Sequence, residues 1–356
     1  MEQNSNSASC RFVEILGIID VKCSWVMGLK GKGNVILAAI FIGAILPAVI
    51  FSVVEKMYAD KHNEDAISST SQAIQNTEIN SVAREEFVSV LQPNGTVLNM
   101  EMNTYLTGVL LGEMPSDFDS EALKAQAVVA RTYTLKRNQS ANKHTRGAIC
   151  TESSCCQSYC SPEDYLLEGG KKETIEKFQK AVADTAGQVV TYQGKLIEAT
   201  YFSCSGGKTE DAQAVWGTQI PYLQAVDSPG EEIATHYQDY VQFNAKELSS
   251  LLGIAPTGKP VTWFGSVTYT PGGGVDTIVV AGKVFTGVEL RQKLGLYSTA
   301  FSIIPAGETV HIYTKGFGHR VGMSQYGAEA MAVSGSDYTQ ILAHYYPGTE
   351  LDSYLD

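Results

Sequence analysis

The longest uninterrupted apolar run covers residues 35-54, where Ser52 is the only polar side chain and no charge occurs over 20 residues. At about 1.5 Å per residue, a helix of that length spans the roughly 30 Å hydrocarbon core of a bilayer. Pro47 is compatible with a membrane helix when neighbouring groups satisfy the freed carbonyl. Lys22, Lys30 and Lys32 precede the run, and Glu55 and Lys56 follow it. The positive-inside rule then places residues 1-34 in the cytoplasm and everything after Val54 outside. A cleaved signal peptide is the competing reading, but it would have a shorter apolar core and leader, and no clear small-x-small site precedes Glu55. A buried soluble helix would rarely be so uniformly apolar. The pattern predicts a single-pass anchor in the cell membrane, followed at 55-84 by a polar stalk rich in Asn, Ser, Thr, Gln and Glu.

Beyond the stalk the pattern changes period. Residues 87-98 predict two short strands around Pro93-Asn94-Gly95, and Met100 to Leu111 predicts a helix that Pro115 ends by biasing Met114 out of the α region. Ser120 is the expected cap of an amphipathic helix in which Ala122, Ala125, Val129 and Tyr133 recur at helical spacing. A further helix is predicted over 171-185, and a hairpin over 188-192 and 195-203 around Gln193-Gly194. From 241 to 305 strands alternate with glycine turns and one short helix, Gly287 to Leu294. The chain closes with a strand at 309-314, a glycine-rich turn and a helix from about Ser324 to Ser334. The fold class expected is α+β: a mixed α/β domain made of 85-240 and 306-356, a β-rich insertion at 241-305, and a groove between them.

Composition narrows the function. The chain has 356 residues, with 26 Lys and Arg against 38 Asp and Glu, a net charge of −12. Such a balance argues against nucleic acid as partner, since no chain-wide attraction for phosphates exists. Candidate chemistry is local. Glu113 sits in Leu110-Leu111-Gly112-Glu113-Met114-Pro115, where apolar neighbours would raise its pKa toward that of a general acid. Alone, a carboxylate at a helix end is more often an ordinary solvated residue. Four of the seven cysteines fall within the eleven residues 150-160, close to His144. Disulfides suit an extracellular segment, while His144, Cys150 and Cys156 with a water or fourth ligand would suit zinc. The spacing matches neither a CxxC pair nor a finger, and on composition disulfides lead. Ser205-Gly206-Gly207 after a strand would bring backbone N–H groups close to a ligand. The segment from Gly316 to Gly327 offers glycines with His319, Gln325 and Tyr326, but not the spacing of a dinucleotide site. With Trp216 and Tyr222 these turns suggest a carbohydrate groove.

These motifs, GEMP at 112-115, ALKAQAVVARTY at 122-133, YFSCSGGKTE at 201-210, VWG at 215-217, FTGVELRQKLGL at 285-296 and GFGHRVGMSQYGA at 316-328, occur in the order found in the stage II sporulation protein D family, which the chain resembles over roughly 85-356. The resemblance implies a peptidoglycan lytic transglycosylase of forespore engulfment, anchored in the mother-cell membrane. Such an enzyme cleaves glycan strands between N-acetylmuramic acid and N-acetylglucosamine, prefers strands stripped of stem peptides by an amidase partner, and leaves 1,6-anhydro-muramic acid ends. Glu113 matches the family's catalytic glutamate. The partners implied are a sporulation amidase or endopeptidase and membrane proteins of the engulfment complex. A non-catalytic scaffold recruiting other wall hydrolases is the alternative.

Unlike a glycosidase with two carboxylates, a lytic transglycosylase needs one, because the sugar's own 6-hydroxyl attacks. Some members carry zinc through one His and two Cys, a pattern that His144, Cys150 and Cys156 match. The resemblance thus favours a structural zinc pinning the 144-160 loop, with a Cys155-Cys160 disulfide or an exchange of ligands beside it. Arg131, Gln157, Tyr159, Tyr201, Ser205, Gly206, Gly207, His319, Gln325 and Tyr326 are the residues expected to line the groove.

Overall fold

A computed structural model describes residues 87–139, 143–144 and 149–354; the expected cytoplasmic segment 1-34, anchor 35-54 and stalk 55-84 lie outside the described residues. Among the described residues, no helix is long and apolar enough to cross a membrane.

Strands β1 (Phe87–Leu91) and β2 (Val97–Glu101) form the expected hairpin. Pairing holds Met100 opposite Val88 and Glu101 opposite Phe87, so the following helix starts later than its periodicity suggests. Helix α1 runs Met102–Glu113, with the Glu101 side chain accepting from the N–H groups of Asn103 and Thr104. It stops where Met114 turns extended ahead of Pro115, at φ −113° and ψ 137°, leaving Glu113 as its last residue.

Helix α2 (Ser120–Gln139) is capped by Asp119 rather than Ser120: the Asp119 carboxylate accepts the Glu121 N–H at 2.8 Å. Nor is α2 one-sided. From Ala122 to Leu135 every residue except Lys124 is buried, because α1, strand β4 and three other helices pack around it. The run of Ala residues in this helix lets those neighbours approach, a feature that a one-face pattern does not reveal. Strand β3 (Ile149–Cys150) joins β1 in parallel. Helices α3 (Pro162–Leu167) and α4 (Lys172–Asp184) follow. Strands β4 (Gln188–Tyr192) and β5 (Lys195–Leu196) then turn through Gln193 and Gly194, both at positive φ. The strand expected to reach 203 breaks at Leu196 and resumes as β6 (Tyr201–Phe202), which pairs elsewhere. Helix α5 is Ala212–Trp216.

A second layer begins with β7 (Gln238–Asn244), α6 (Ala245–Leu252), β8 (Phe264–Tyr269), β9 (Val275–Val280), β10 (Lys283–Thr286) and α7 (Gly287–Leu294). It closes with β11 (Phe301–Ala306) and β12 (Thr309–Lys315). The order β11-β12-β7 makes one antiparallel sheet, and β10-β9-β8 makes another. Strand β12 was expected in the 306-356 part; instead it is hydrogen-bonded along its length to β7 and β11, and Val310 and Ile312 enter this second core. Alternation reveals a strand but not its partner. The chain ends with β13 (Met323–Ser324), α8 (Gln325–Val333), α9 (Tyr338–Tyr345) and β14 (Glu350–Ser353), which return to the first core. That core is larger and mostly helical, with Tyr105, Leu106, Leu110 and Leu123 fully buried. Truncating one of these leucines to Ala would cost about 2–5 kcal/mol.

Candidate active site

Two glycines on one face of α1 decide where the site forms. A side chain at Gly108 would overlap the Tyr159 ring, and a Cβ on Gly112 would lie 2.9 Å from the Tyr159 nitrogen. Their absence of side chains lets the 157-160 segment run against the helix, fixed by the Cys160 N–H donating to the Gly108 carbonyl at 3.0 Å. Ser158 is thereby carried to the helix end, where its N–H donates to Glu113 Oε1 at 2.6 Å. From the other side, parallel pairing of β6 with β13 brings Tyr201 and the start of α8 together. The Tyr201 hydroxyl donates to Glu113 Oε1 at 3.3 Å, and Gln325 Nε2 donates to Oε2 at 3.4 Å.

Burial raises the Glu113 pKa above its ordinary value, and these three hydrogen bonds pull against it without prevailing. Tyr201 is pushed well above the normal phenol range, by burial first and by the neighbouring carboxyl second, so it remains a donor. Glu113 opens into a cleft of about 900 Å³ lined also by Tyr133, Trp216, Phe317, His319 and Arg291. Among the described residues lining it, Glu113 is the sole carboxyl group. His319 lies 5.5 Å from the Trp216 ring and 5.6 Å from Phe202. Burial, then the charge of Arg291, holds its pKa down to about 4. Its Nδ1 accepts the Val321 N–H at 3.1 Å, which leaves the proton of the neutral ring on Nε2.

Of the residues expected in the groove, Tyr201, Trp216, His319 and Gln325 reach this cleft. The others lie elsewhere. Arg131 is fully buried, and its guanidinium donates to the carbonyls of Val182, Thr185 and Gln188, where it closes the C-terminal end of α4. Gln157 is also fully buried: Nε2 donates to Tyr105 and Thr134, and Oε1 accepts from Tyr201 at 3.1 Å. It orients Tyr201 without meeting solvent. Tyr159 stacks on Tyr105, with ring centroids 5.7 Å apart, and Tyr326 meets Phe118 edge-on. Tyr222 is buried and accepts the Glu198 N–H.

Ser205, Gly206 and Gly207 do form a turn that gathers N–H groups around an anion, but the anion is internal. The N–H groups of Ser205 and Gly206 and the Ser205 hydroxyl all donate to Glu231 Oε2, at 2.7, 2.8 and 2.8 Å. The Gly207 N–H donates to the Ser205 hydroxyl. Gly206 sits at φ 77° with its Cα face against Lys315 and Gly316, so the glycines permit two loops to meet backbone to backbone.

His144, Cys150 and Cys156 do meet, and Cys155 joins them: the four ligand atoms lie within 4.8 Å of one another. His144 Nε2 is 3.5 Å from Cys155 Sγ and 3.4 Å from Cys156 Sγ. Tetrahedral zinc with bonds of about 2.0–2.3 Å sets ligand atoms roughly 3.5–3.8 Å apart, a spacing that the two His144 contacts match, and one imidazole with three thiols is a donor set of the type that metal takes. Cys150, Cys155 and Cys156 carry no disulfide, and Cys160 lies buried with its Sγ directed at the Ser161 carbonyl. A Cys155–Cys160 bridge is therefore absent. Cys155 as a donor was open to sequence reasoning only as an exchange of ligands, and Arg291, Tyr133 and Phe317 all fall inside the quoted motifs without being read as cleft residues.

The stage II sporulation protein model, SpoIID, matches residues 93–192. Stage II sporulation protein D of Bacillus amyloliquefaciens is 41% identical over 270 residues, 74% of this chain and 78% of the relative. The protein of the same name from Bacillus subtilis (strain 168) is 35% identical over 331 residues, 91% of this chain and 96% of the relative. An amidase enhancer of Bacillus subtilis is 30% identical over 309 residues, 70% of this chain but 40% of the relative. With two stage II sporulation protein D relatives this similar over most of both lengths, and with Glu113, Tyr201 and Gln325 of the quoted motifs converging on one cleft, the chain belongs to the stage II sporulation protein D family.

Proposed function

We propose that this chain cleaves peptidoglycan glycan strands as a lytic transglycosylase, between N-acetylmuramic acid and N-acetylglucosamine, during engulfment of the forespore. The observation that carries this reading is a cleft whose described lining holds one carboxyl group, with that group's pKa raised by burial. A hydrolase working by the two-carboxylate route would need a second one.

Oε1 of Glu113 is already engaged by Ser158 and Tyr201, whereas Oε2 has only the long contact with Gln325. The proton of the acid form therefore belongs on Oε2. It passes to the glycosidic oxygen as the bond from C1 to that oxygen breaks. Glu113, now a carboxylate, takes the proton of the muramic acid 6-hydroxyl as that oxygen bonds to C1. The glutamate ends protonated, no water is consumed, and the product carries a 1,6-anhydro end. Ser158 N–H, Tyr201 and Gln325 stabilise the carboxylate formed between the two transfers. Trp216 and Phe317 offer aromatic faces to the sugar rings.

Zinc is part of the proposal, held by His144, Cys150, Cys155 and Cys156. Four protein ligands would leave no open position, so the metal would serve to hold the loop that carries Ser158. Anchorage by 35-54, with the N-terminus cytoplasmic, rests on the sequence pattern. An amidase partner that strips stem peptides is consistent with the relative named amidase enhancer.

Mass spectrometry of denuded glycan treated with the full-length chain tests the reaction. Anhydro-ended products are expected, and Glu113→Gln is expected to abolish them. Reducing ends in their place would make the enzyme a muramidase, and cleavage unchanged in Glu113→Gln would leave the scaffold reading. Elemental analysis tests the metal: zinc is expected in the wild type and lost in His144→Ala, and equal zinc in both would overturn the ligand assignment.

A further inference from the structure

The geometry points to Arg291 as the residue that binds the free lactyl carboxylate of an N-acetylmuramic acid unit, and so selects strands lacking stem peptides. This rests on the proposed function, and it explains by chemistry a preference that the motif resemblance only implies. In muramic acid the lactyl carboxyl is an amide while a stem peptide is attached; removal of the peptide turns it into an anion.

The chain carries a net charge of −12, yet its cleft sets three cations, Arg137, Lys143 and Arg291, against Glu113 as the sole acid among the described lining residues. Two of the three are committed. Arg137 pairs with Glu198 at 2.9 Å and lies over the Tyr133 ring, and Lys143 donates to the Cys155 carbonyl. Arg291 forms no ion pair with any described residue. It is half-buried, and that burial alone draws its pKa down. A desolvated cation without a counter-charge costs free energy, and a ligand anion would recover that cost. A guanidinium also meets a carboxylate through two parallel hydrogen bonds, a geometry an ammonium lacks.

The position of Arg291 is built by the second core. Helix α7 buries Leu290 and Leu294, and the left-handed Gly295 caps the helix by donating to the Arg291 carbonyl. The chain then passes Tyr297, whose carbonyl accepts the Gly318 N–H at 3.1 Å. That bond ties the turn after α7 to the loop carrying His319, the ring whose pKa Arg291 helps to depress. Trp216, 43% exposed, packs on the same imidazole. An aromatic face beside an unpaired guanidinium suits a sugar bearing an acidic substituent.

The test compares denuded glycan strands with the same strands after their lactyl carboxylates are converted to methyl amides, using the full-length chain. For the wild type, the amidated strands should show a KM about 10–100-fold above that of the free acid, with little change in kcat. Arg291→Gln should raise the free-acid KM by that factor and leave the amidated KM unchanged. Arg291→Lys should restore part of the discrimination. Equal KM values in the wild type, or an equal loss on both substrates in Arg291→Gln, would overturn the inference while the anhydro products left the proposed function standing. If the wild type gives no anhydro products from either strand, the proposed function fails instead. Calorimetric binding of the two strands to the Glu113→Gln chain, with and without Arg291→Gln, then decides the role of Arg291 separately.

Discussion

Two glutamates, Glu113 in the cleft and Glu231 beneath the loop junction, show what environment does to one side chain. Glu231 is fully buried and receives four donors at 2.6–2.8 Å, from the Ser205 and Gly206 backbones and the Ser205 and Ser228 hydroxyls. Glu113 receives one short hydrogen bond and two long ones, at 3.3 and 3.4 Å. The first group is fully satisfied and organises the backbone around it. The second is desolvated without full compensation, which raises its pKa above the ordinary carboxylate value, as an acid catalyst requires. The difference lies in the donors and not in depth of burial alone.

Exchanging each carboxyl for a neutral group should give opposite results. Glu113→Gln removes the proton carrier, and cleavage should fall by about 10³-fold or more. The same change should stabilise the fold at neutral pH. Because the folded pKa of Glu113 is raised, its stabilising contribution is present below the unfolded value and is lost as pH rises through the folded one. The gain in Tm over wild type should thus be seen at pH 7 and vanish near pH 4. Glu231→Ala should do the reverse. It leaves two buried N–H groups and two hydroxyls without their acceptor, at a cost of about 3–5 kcal/mol in denaturant unfolding. Stability unchanged in Glu231→Ala would erase the contrast.

The cleft wall supplies a basic counterpart in His319. Its folded pKa of about 4 lies below the ordinary imidazole value, so the unfolded chain binds the extra proton between those pH values. Stability should fall as pH drops from about 6.5 toward 4, by up to roughly 3 kcal/mol, and level off below. His319→Gln should flatten that slope in thermal melts taken across the range.

Much of the cleft was legible in the sequence, because its parts carry local signatures. Pro115 fixes the end of α1, the apolar neighbours of Glu113 foretell its desolvation, and the His and Cys types announce a donor set. What stayed hidden depends on pairing across the chain. Nothing near Ser205 tells that the anion in its turn is Glu231, 26 residues on. Nothing in the spacing around Arg131 tells that its guanidinium meets the carbonyls at the end of α4 rather than a sugar. Hydrogen-bonding side chains read alike whether they face solvent or the core, and β12 could be found by alternation while its place beside β7 could not. Cys155 could be read only as a disulfide partner or an exchange ligand for the same reason: adjacent cysteines look redundant until the fold brings both close to His144.

The smallest effect tests the comparison most closely, because it alters the donors of Glu113 without touching its carboxyl. Tyr201→Phe removes the hydroxyl that bridges Glu113 Oε1 and Gln157 Oε1. One buried acceptor on Gln157 loses its partner, and Glu113 becomes still less compensated. Since that hydroxyl lowers the Glu113 pKa, its loss should move the alkaline limb of the pH profile of kcat/KM upward. The carboxylate formed between the two proton transfers loses a donor at the same time, so the rate at the optimum should fall by about tenfold. The two readouts move independently: packing damage alone would lower the rate and leave the limb in place. An unshifted limb would mean that burial by itself sets the acidity of Glu113, and the contrast with Glu231 would then be one of solvent access rather than of donor supply.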